Sequence, residues 1–176
     1  MPPLFCRWHG GLSETRRKAD LINNNTDIKR SLAHPVSDLF SYLTGHWKLT
    51  RHITDHNRDQ TGQLNGKAHF APDGQGLIYR ERGLLQIGDY AGEATQSLIF
   101  QPAGNGAVVH FSDGRPFYRL NLSDGCDSAL HLCTPDQYEV TTRVISAKEW
   151  HQAWRVRGPA KDQTITSLFH RITKQD

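Results

Sequence analysis

The sequence predicts an all-β protein, a closed up-and-down antiparallel β-barrel of about ten strands preceded by a short helix. Three observations lead there. Short runs in which apolar and polar side chains alternate recur from His46 to Thr173, a period of two rather than 3.6. Between many of them lie "PDGQG", "PAGNG", "SDGR" and "SDGC", whose Asp-Gly and Asn-Gly pairs supply the positive φ angles of tight hairpins. No long helical crossover is available to return one strand parallel to another. Tight turns make neighbours antiparallel, and a meander of this size removes its exposed edges by closing on itself, which favours a barrel over a sandwich.

Residues 1–33 mix Arg, Lys, Asn and Gly, include "NNNTD", and show no sustained periodicity. They are expected to form a mostly disordered extension, with a short helix at most near Glu14 to Ile22; the barrel domain then spans 34–176. Glu14, Asp20 and Asp27 argue against an amphipathic targeting presequence there. In "HPVSDLFSYLTG", Val36, Leu39, Phe40 and Leu43 stand at helical spacing, with Pro35 suited to a first turn and Gly45 to a stop. The first strand follows in "HWKLTRHITDHN", where Trp47, Leu49, Arg51 and Ile53 share one face and Lys48, Thr50 and His52 the other. The remaining strands are expected in "GQLNGKAHFAP", "GLIYRERGLLQIG", "YAGEATQSLIFQP", "GAVVHFSD", "RPFYRLNLS", "SALHLCTP", "QYEVTTRVIS", "EWHQAWRVRG" and "QTITSLFHRIT".

The formal charge of +3 divides unevenly. Residues 1–33 carry six Lys/Arg against three acids, which leaves 15 of each in 34–176. A neutral body does not attract a polyanion, so nucleic acid is not an expected partner. No window supplies the roughly 18 uninterrupted apolar residues of a membrane helix, nor does the N-terminus build a secretory signal. Cys6, Cys126 and Cys133 are odd in number and lack CxxC spacing, which points to thiols and a cytoplasmic location.

"LTGHWKL" resembles the opening of the calycin group, which includes lipocalins, fatty-acid-binding proteins and nitrobindin-like barrels, where a short helix leads into a first strand carrying Gly-x-Trp. The resemblance implies that Trp47 lies across the closed barrel end and that an Arg near the last strand covers its ring, a role "FHRI" offers to Arg171. With "FSDGRPFY", "HLCTPDQYEV", "EWHQAWRVRGPAKD" and "SLFHRI", the chain is similar over about 36–173 to a family of mainly bacterial calycin-like domains named only as a domain of unknown function. One common pattern in that family has an Arg after the Gly-Pro of the penultimate turn, where this chain has Ala160 and then Lys161.

Candidate site residues follow from alternation. Trp47 is expected to plug the barrel with Arg171 stacked on it. Arg51 shares the inward face of Trp47, so its guanidinium needs an internal acid such as Glu81, a rim position, or a ligand anion. Arg115, in "HFSDGRPFYRL", belongs to the most distinctive motif of the resembled family and is the leading polar anchor, offering fork geometry to a carboxylate or phosphate. In "EWHQAWRVRG", burying Trp150 and Trp154 is cheaper than burying Arg155 and Arg157, so Trp154 is placed inside as a wall. The expected pocket lies above Trp47, lined by Leu49, Arg51, Tyr118 and Trp154. His131 is a further ligand contact and, with Tyr138, a candidate proton carrier. Lys161 would carry chemistry only if it faced the pocket.

His131 and Cys133 share a strand face, yet no second ligand pair supports a metal, and none is expected. GxGxxG, Walker, HExxH and GxSxG motifs are absent. No cofactor is predicted outright. Haem is the alternative, with His170 or His151 as late-strand ligands in the manner of nitrobindin-like barrels. The expected function is binding of a small, largely apolar molecule with an acidic group inside the barrel; the alternatives are an enzyme acting on such a ligand by His/Tyr acid–base chemistry with an Arg stabilising the anion, and tetrapyrrole binding.

Overall fold

Ten strands and one helix form in the computed structural model, which describes residues 33–173. They are α1 (Leu39–Leu43), β1 (Gly45–Asp55), β2 (Gln60–Asp73), β3 (Gly76–Ile87), β4 (Tyr90–Ala103), β5 (Gly106–Phe111), β6 (Pro116–Leu120), β7 (Cys126–Cys133), β8 (Asp136–Ser146), β9 (Glu149–Gly158) and β10 (Lys161–Arg171). The extension read in residues 1–33, with its helix near Glu14, lies outside the described residues apart from Ala33. Among those residues no helix is long and apolar enough to cross a membrane.

The strands form one antiparallel sheet in the order β6-β5-β4-β3-β2-β1-β10-β9-β8-β7, with β1 and β10 joining the chain's first and last strands. This is the barrel that alternation predicted, nearly closed on itself. Tight turns impose the hairpins, and in "PAGNG" the residue with positive φ is Gly104 (59°) rather than the glycine of Asn-Gly. Gly106 serves another need: a Cβ there would meet the Leu120 carbonyl oxygen at 2.2 Å.

The helix is shorter than its apolar spacing predicts. Asp38, not Pro35, starts it, its Oδ1 accepting from the amides of Phe40 and Ser41 at 3.0 and 3.1 Å. Pro35 and Val36 are held off the helix because His34 N–H bonds the Val144 carbonyl and Val36 N–H bonds the Leu122 carbonyl. The segment therefore crosses the barrel end, burying Val36, Leu39 and Leu43.

Strand lengths position the site. β4 has 14 residues and β5 only 6, and β5 meets β4 from Leu98 onward. Tyr90–Ser97 thus pair with β3 alone, while β7 pairs with β8 alone. Between these two projecting strands the wall has a window whose sill is the β5–β6 turn. Inward positions of β4 beside it, Gly92, Ala94 and Gln96, are half-buried, as are Ala129, His131 and Cys133 on β7.

Candidate functional site

Side chains fill the interior except for one small cavity among the described residues. At the closed end Trp47 is wholly buried, its Nε1 donating to the Leu43 carbonyl at 2.8 Å. The Arg171 guanidinium lies 4.2 Å from the Trp47 ring centroid and donates to the carbonyl oxygens of Thr44 (2.8 Å) and Tyr42. Trp150 packs edge-on against Trp47 and stacks on Phe169 with centroids 3.8 Å apart. The structure thus brings Trp47 and Arg171 together at the base.

Above this base Arg51 and Glu81 form a bidentate pair, Nη1–Oε1 2.6 Å and Nη2–Oε2 2.7 Å, with Nε donating to Ser167 Oγ at 2.8 Å. They stand on β1 and β3 with β2 between. Gly66 and Ala68, the inward β2 residues opposite Leu49 and Trp47, are small enough for the guanidinium to reach across. Tyr79 OH donates to the same carboxylate. Burial disfavours the Arg51 charge, but Glu81 and its hydrogen bonds outweigh that and hold the guanidinium protonated; burial and Glu81 push the Tyr79 phenol far up. Arg51 is therefore neutralised inside the protein, the internal pairing among its alternatives, and presents no net charge to a ligand.

Opposite lies a polar chain carried by β9. Trp154 Nε1 donates to Gln152 Oε1 (2.9 Å), and Gln152 Nε2 donates to Tyr118 OH (3.1 Å) and Thr142 Oγ1 (3.3 Å). Burial drives the Tyr118 phenol up to about 12 against the Gln152 bond, with Asp127 adding to the rise. Arg51, Tyr118, Gln152 and Trp154 all line one cavity of about 30 Å³, walled by Phe70, Phe100, Phe117 and Trp150. That is room for a water or two, not the 300 Å³ or more of a typical ligand pocket. Two groups on its wall are unspent. Trp150 Nε1 is buried without a hydrogen-bond partner among the described residues, and the Gln96 side chain makes no hydrogen bond among them.

Phe117 separates this cavity from the window. Its ring stacks on Trp154 (centroids 5.1 Å, 7° between planes) and on Phe111 (4.3 Å, 27°), and meets His131 edge-on at 5.1 Å. Strict alternation would send Phe117 outward once Tyr118 is inside. A register shift at Val109/His110 pairs His110 with Pro116 and twists β6 so that both residues are buried.

The other candidates lie away from the cavity. Arg115 is on the sill, exposed, its Nε and Nη2 paired with Asp113 Oδ2 at 2.9 and 2.8 Å and its guanidinium 5.4 Å from the Phe111 centroid. His131 stands on the β7 jamb. Burial lowers its pKa, a hydrogen bond to the Phe117 backbone opposes this, and Arg115 lowers it further, so the ring is neutral at pH 7. The Tyr138 ring stands 6.1 Å from it, and the Tyr138 hydroxyl accepts from Lys161 Nζ at 2.9 Å, while Lys161 also holds Asp136 at 2.7 Å. Burial disfavours the Lys161 charge, but these bonds win and raise its pKa, the opposite of what a nucleophilic lysine needs. Of the two candidate proton carriers, Tyr138 is thus engaged by Lys161, while His131 stands at the window. The late-strand haem ligands are also displaced: His170 is half exposed and His151 bonds Glu149 (2.6 Å) on the outer face. No group of three or more His, Cys, Asp or Glu fit for a metal exists among the described residues.

Sequence reasoning left out Gln96, Phe117 and Gln152. Gln152 was legible, since it alternates with two tryptophans on the buried face. Phe117 was not, because only the register shift turns it inward.

Fold and site together define an antiparallel ten-stranded barrel plugged at one end by an aromatic–arginine stack and interrupted at its side by a window. The chain belongs to the family of unknown function DUF6314, whose model matches residues 43–171. Among solved structures it is similar to an S-type phycobiliprotein lyase from Guillardia theta (TM-score 0.59, 8% identity, 84% of this chain and 97% of that one). It is also similar to a DUF3598 protein of unknown function from Nostoc punctiforme PCC 73102 (TM-score 0.57, 12% identity, 80% of this chain), of which it spans about half, 51%. At such identities the likeness is one of fold. No curated protein matches the chain in sequence.

Proposed function

We propose that the protein binds a small, largely apolar molecule bearing an acidic group, with the acid held at the window and the apolar body inside the barrel. The observation that carries this reading is the aromatic-walled cavity beneath the window, with the buried Trp150 N–H unpartnered and the Gln96 carboxamide unengaged. Buried polar groups are nearly always satisfied, so an orphaned donor on a cavity wall marks a place for an acceptor. The acceptor inside is a neutral oxygen: a carboxylate there would be an unpaired buried charge, because Glu81 already cancels Arg51. The acid falls to Arg115, whose exposed pairing with Asp113 is weak enough to exchange. Because the cavity holds only about 30 Å³, the apolar body needs Phe117 to swing out.

A tetrapyrrole is the weaker reading. It has the lyase's fold in its favour, while for haem in particular no histidine among the described residues lines the cavity to ligate the iron. The enzyme reading rests on His131 alone, since Tyr138 is engaged by Lys161. Work on a soluble ligand in the cytoplasm is part of the proposal.

The test is a calorimetric titration of alkyl carboxylates of increasing length against their methyl esters. Saturable binding of the acids is expected, weaker by roughly tenfold for the esters, with the difference lost in Arg115→Gln. Failure of every acid to bind both the native protein and Phe117→Ala, whose access is widened, would sink the reading.

A further inference from the structure

The neutral total of the barrel domain conceals a segregated charge on its outer wall. His46 on β1, His69 on β2 and Arg80 on β3 stand side by side in register, and one step along, Lys48, Lys67 and Arg82 do the same. All face outward and all but the half-buried His69 are exposed. Only Arg82 has a carboxylate, Glu93, at 2.7 Å from Nε and 2.6 Å from Nη2. Among the described residues no carboxylate lies within ion-pair distance of Lys48, Lys67 or Arg80. Cations directly opposite one another on a sheet repel, and nothing in the packing of the barrel needs them at these solvent-facing positions.

The geometry around them is concave. The imidazoles of His46 and His69 stack with centroids 3.9 Å apart and 3° between planes. Burial, then His46 and then Arg80 lower the His69 pKa, so that ring is starved of a compensating anion. A depression of about 520 Å³ opens beside the pair, lined by Lys67, His69, Arg80, Arg82 and Ser112. Glu81 reaches its floor, but that carboxylate is spent on Arg51 and Tyr79.

We propose that this depression, which meets the interior cavity only at Gln96, binds the phosphate group of a small phosphorylated molecule through outward-facing residues that the reading given to that cavity does not use. Arg80 supplies a planar fork, Lys67 a mobile point charge, His69 a ring N–H and Ser112 a hydroxyl, donors suited to a tetrahedral dianion approached from several sides. A single carboxylate would leave most of them unused. The space exceeds an inorganic phosphate and admits an organic remainder. A long polyanion fits poorly, because Glu93 flanks the cations on β4 and Glu149 flanks them beyond His170.

Inorganic phosphate and pyrophosphate are the probes, titrated into the full chain at constant ionic strength while backbone amide and imidazole NMR shifts are followed. Saturable shifts confined to the depression, at His46, Lys67, His69, Arg80, Arg82 and Ser112, are expected, with pyrophosphate affinity falling roughly tenfold in Arg80→Gln and Lys67→Gln and unchanged in Arg119→Gln on β6. The altered residues are exposed, and unchanged amide spectra elsewhere establish that each variant folds. Shifts that never saturate, or that spread equally over all exposed Lys and Arg, overturn the site. Phosphatidylcholine vesicles with and without phosphatidic acid separate the sources: Arg80-dependent sedimentation together with free pyrophosphate binding makes the phosphate a lipid headgroup, and free binding alone makes it a soluble ester. Binding to vesicles or to oligonucleotides without saturable binding of free pyrophosphate overturns the proposal in favour of nonspecific surface attraction.

Discussion

At its closed end the barrel is tied by directional bonds, and at its window by stacked rings. Arg171 reaches the carbonyls of Tyr42 in the last turn of α1 and of Thr44 just past it while covering Trp47, and the Tyr42 hydroxyl donates to the Ser146 and Glu149 carbonyls at 3.0 and 3.2 Å. These bonds join the first helix to both the last strand and the β8–β9 turn. At the window no ladder joins β6 to β7; the amide of Asn121 bonding Asp127 Oδ2 at 2.7 Å and His131 bonding the Phe117 backbone stand in for one. Directional bonds resist sliding, whereas ring stacks can separate and re-form at modest cost. The difference teaches where the molecule can open without unfolding.

The largest expected effect falls at the closed end. Trp47→Ala deletes the most buried aromatic, takes the ring from beneath the Arg171 guanidinium and leaves the Leu43 carbonyl without its donor, a loss of about 3–5 kcal/mol in urea unfolding. Phe117→Ala removes a ring of nearly the same burial, yet its site adjoins the window and can relax, so a loss of about 2–3 kcal/mol is expected. The two variants also differ in kind. Phe117→Ala should enlarge the cavity and strengthen binding of an apolar probe, whereas Trp47→Ala should weaken it by loosening the floor. Equal loss of stability and of binding in both would erase the distinction between the two regions.

Much of this was legible in the sequence because burial at the closed end follows strict alternation. Trp47, Leu49, Arg51 and Ile53 share one face, and their hairpin partners keep step from β1 through β4. The fold class and all ten strands follow from that period and the turns. The window was not legible, since it depends on β5 stopping short while β4 continues, and no residue within β4 announces the missing neighbour. The fate of Arg51 was open for the same reason: alternation fixes which way the side chain points, but only the register of Gly66 and Ala68 beneath it shows that Glu81 is within reach. Arg115 was assigned by motif, and its place outside the cavity follows from the tight turn around Gly114 with φ 86°.

A pH titration sharpens the comparison with a smaller effect. His131 has its pKa lowered in the fold, so the unfolded chain takes up a proton first, near pH 6.5. The stability it contributes is fully present above about pH 6.5 and is lost as pH falls toward the lower folded value. Thermal unfolding followed between about pH 7.5 and 5 should show the native protein losing more than His131→Gln, because that variant has nothing to protonate at the seam. Parallel curves would mean that burial of His131 beside Arg115 does not make the seam acid-sensitive.

The smallest expected effect on stability is the most informative about function. Arg115→Gln breaks an exposed pair with Asp113, and exposed pairs contribute little, so the melting temperature should not move. The same substitution removes the exposed guanidinium on the window sill. If the window is where a ligand's acid rests, affinity for an alkyl carboxylate falls and its salt dependence flattens while the fold is untouched. A stable Arg115→Gln protein that binds carboxylates as tightly as the native one would move the acid away from the sill, and would leave the motif around Gly114 as turn chemistry alone.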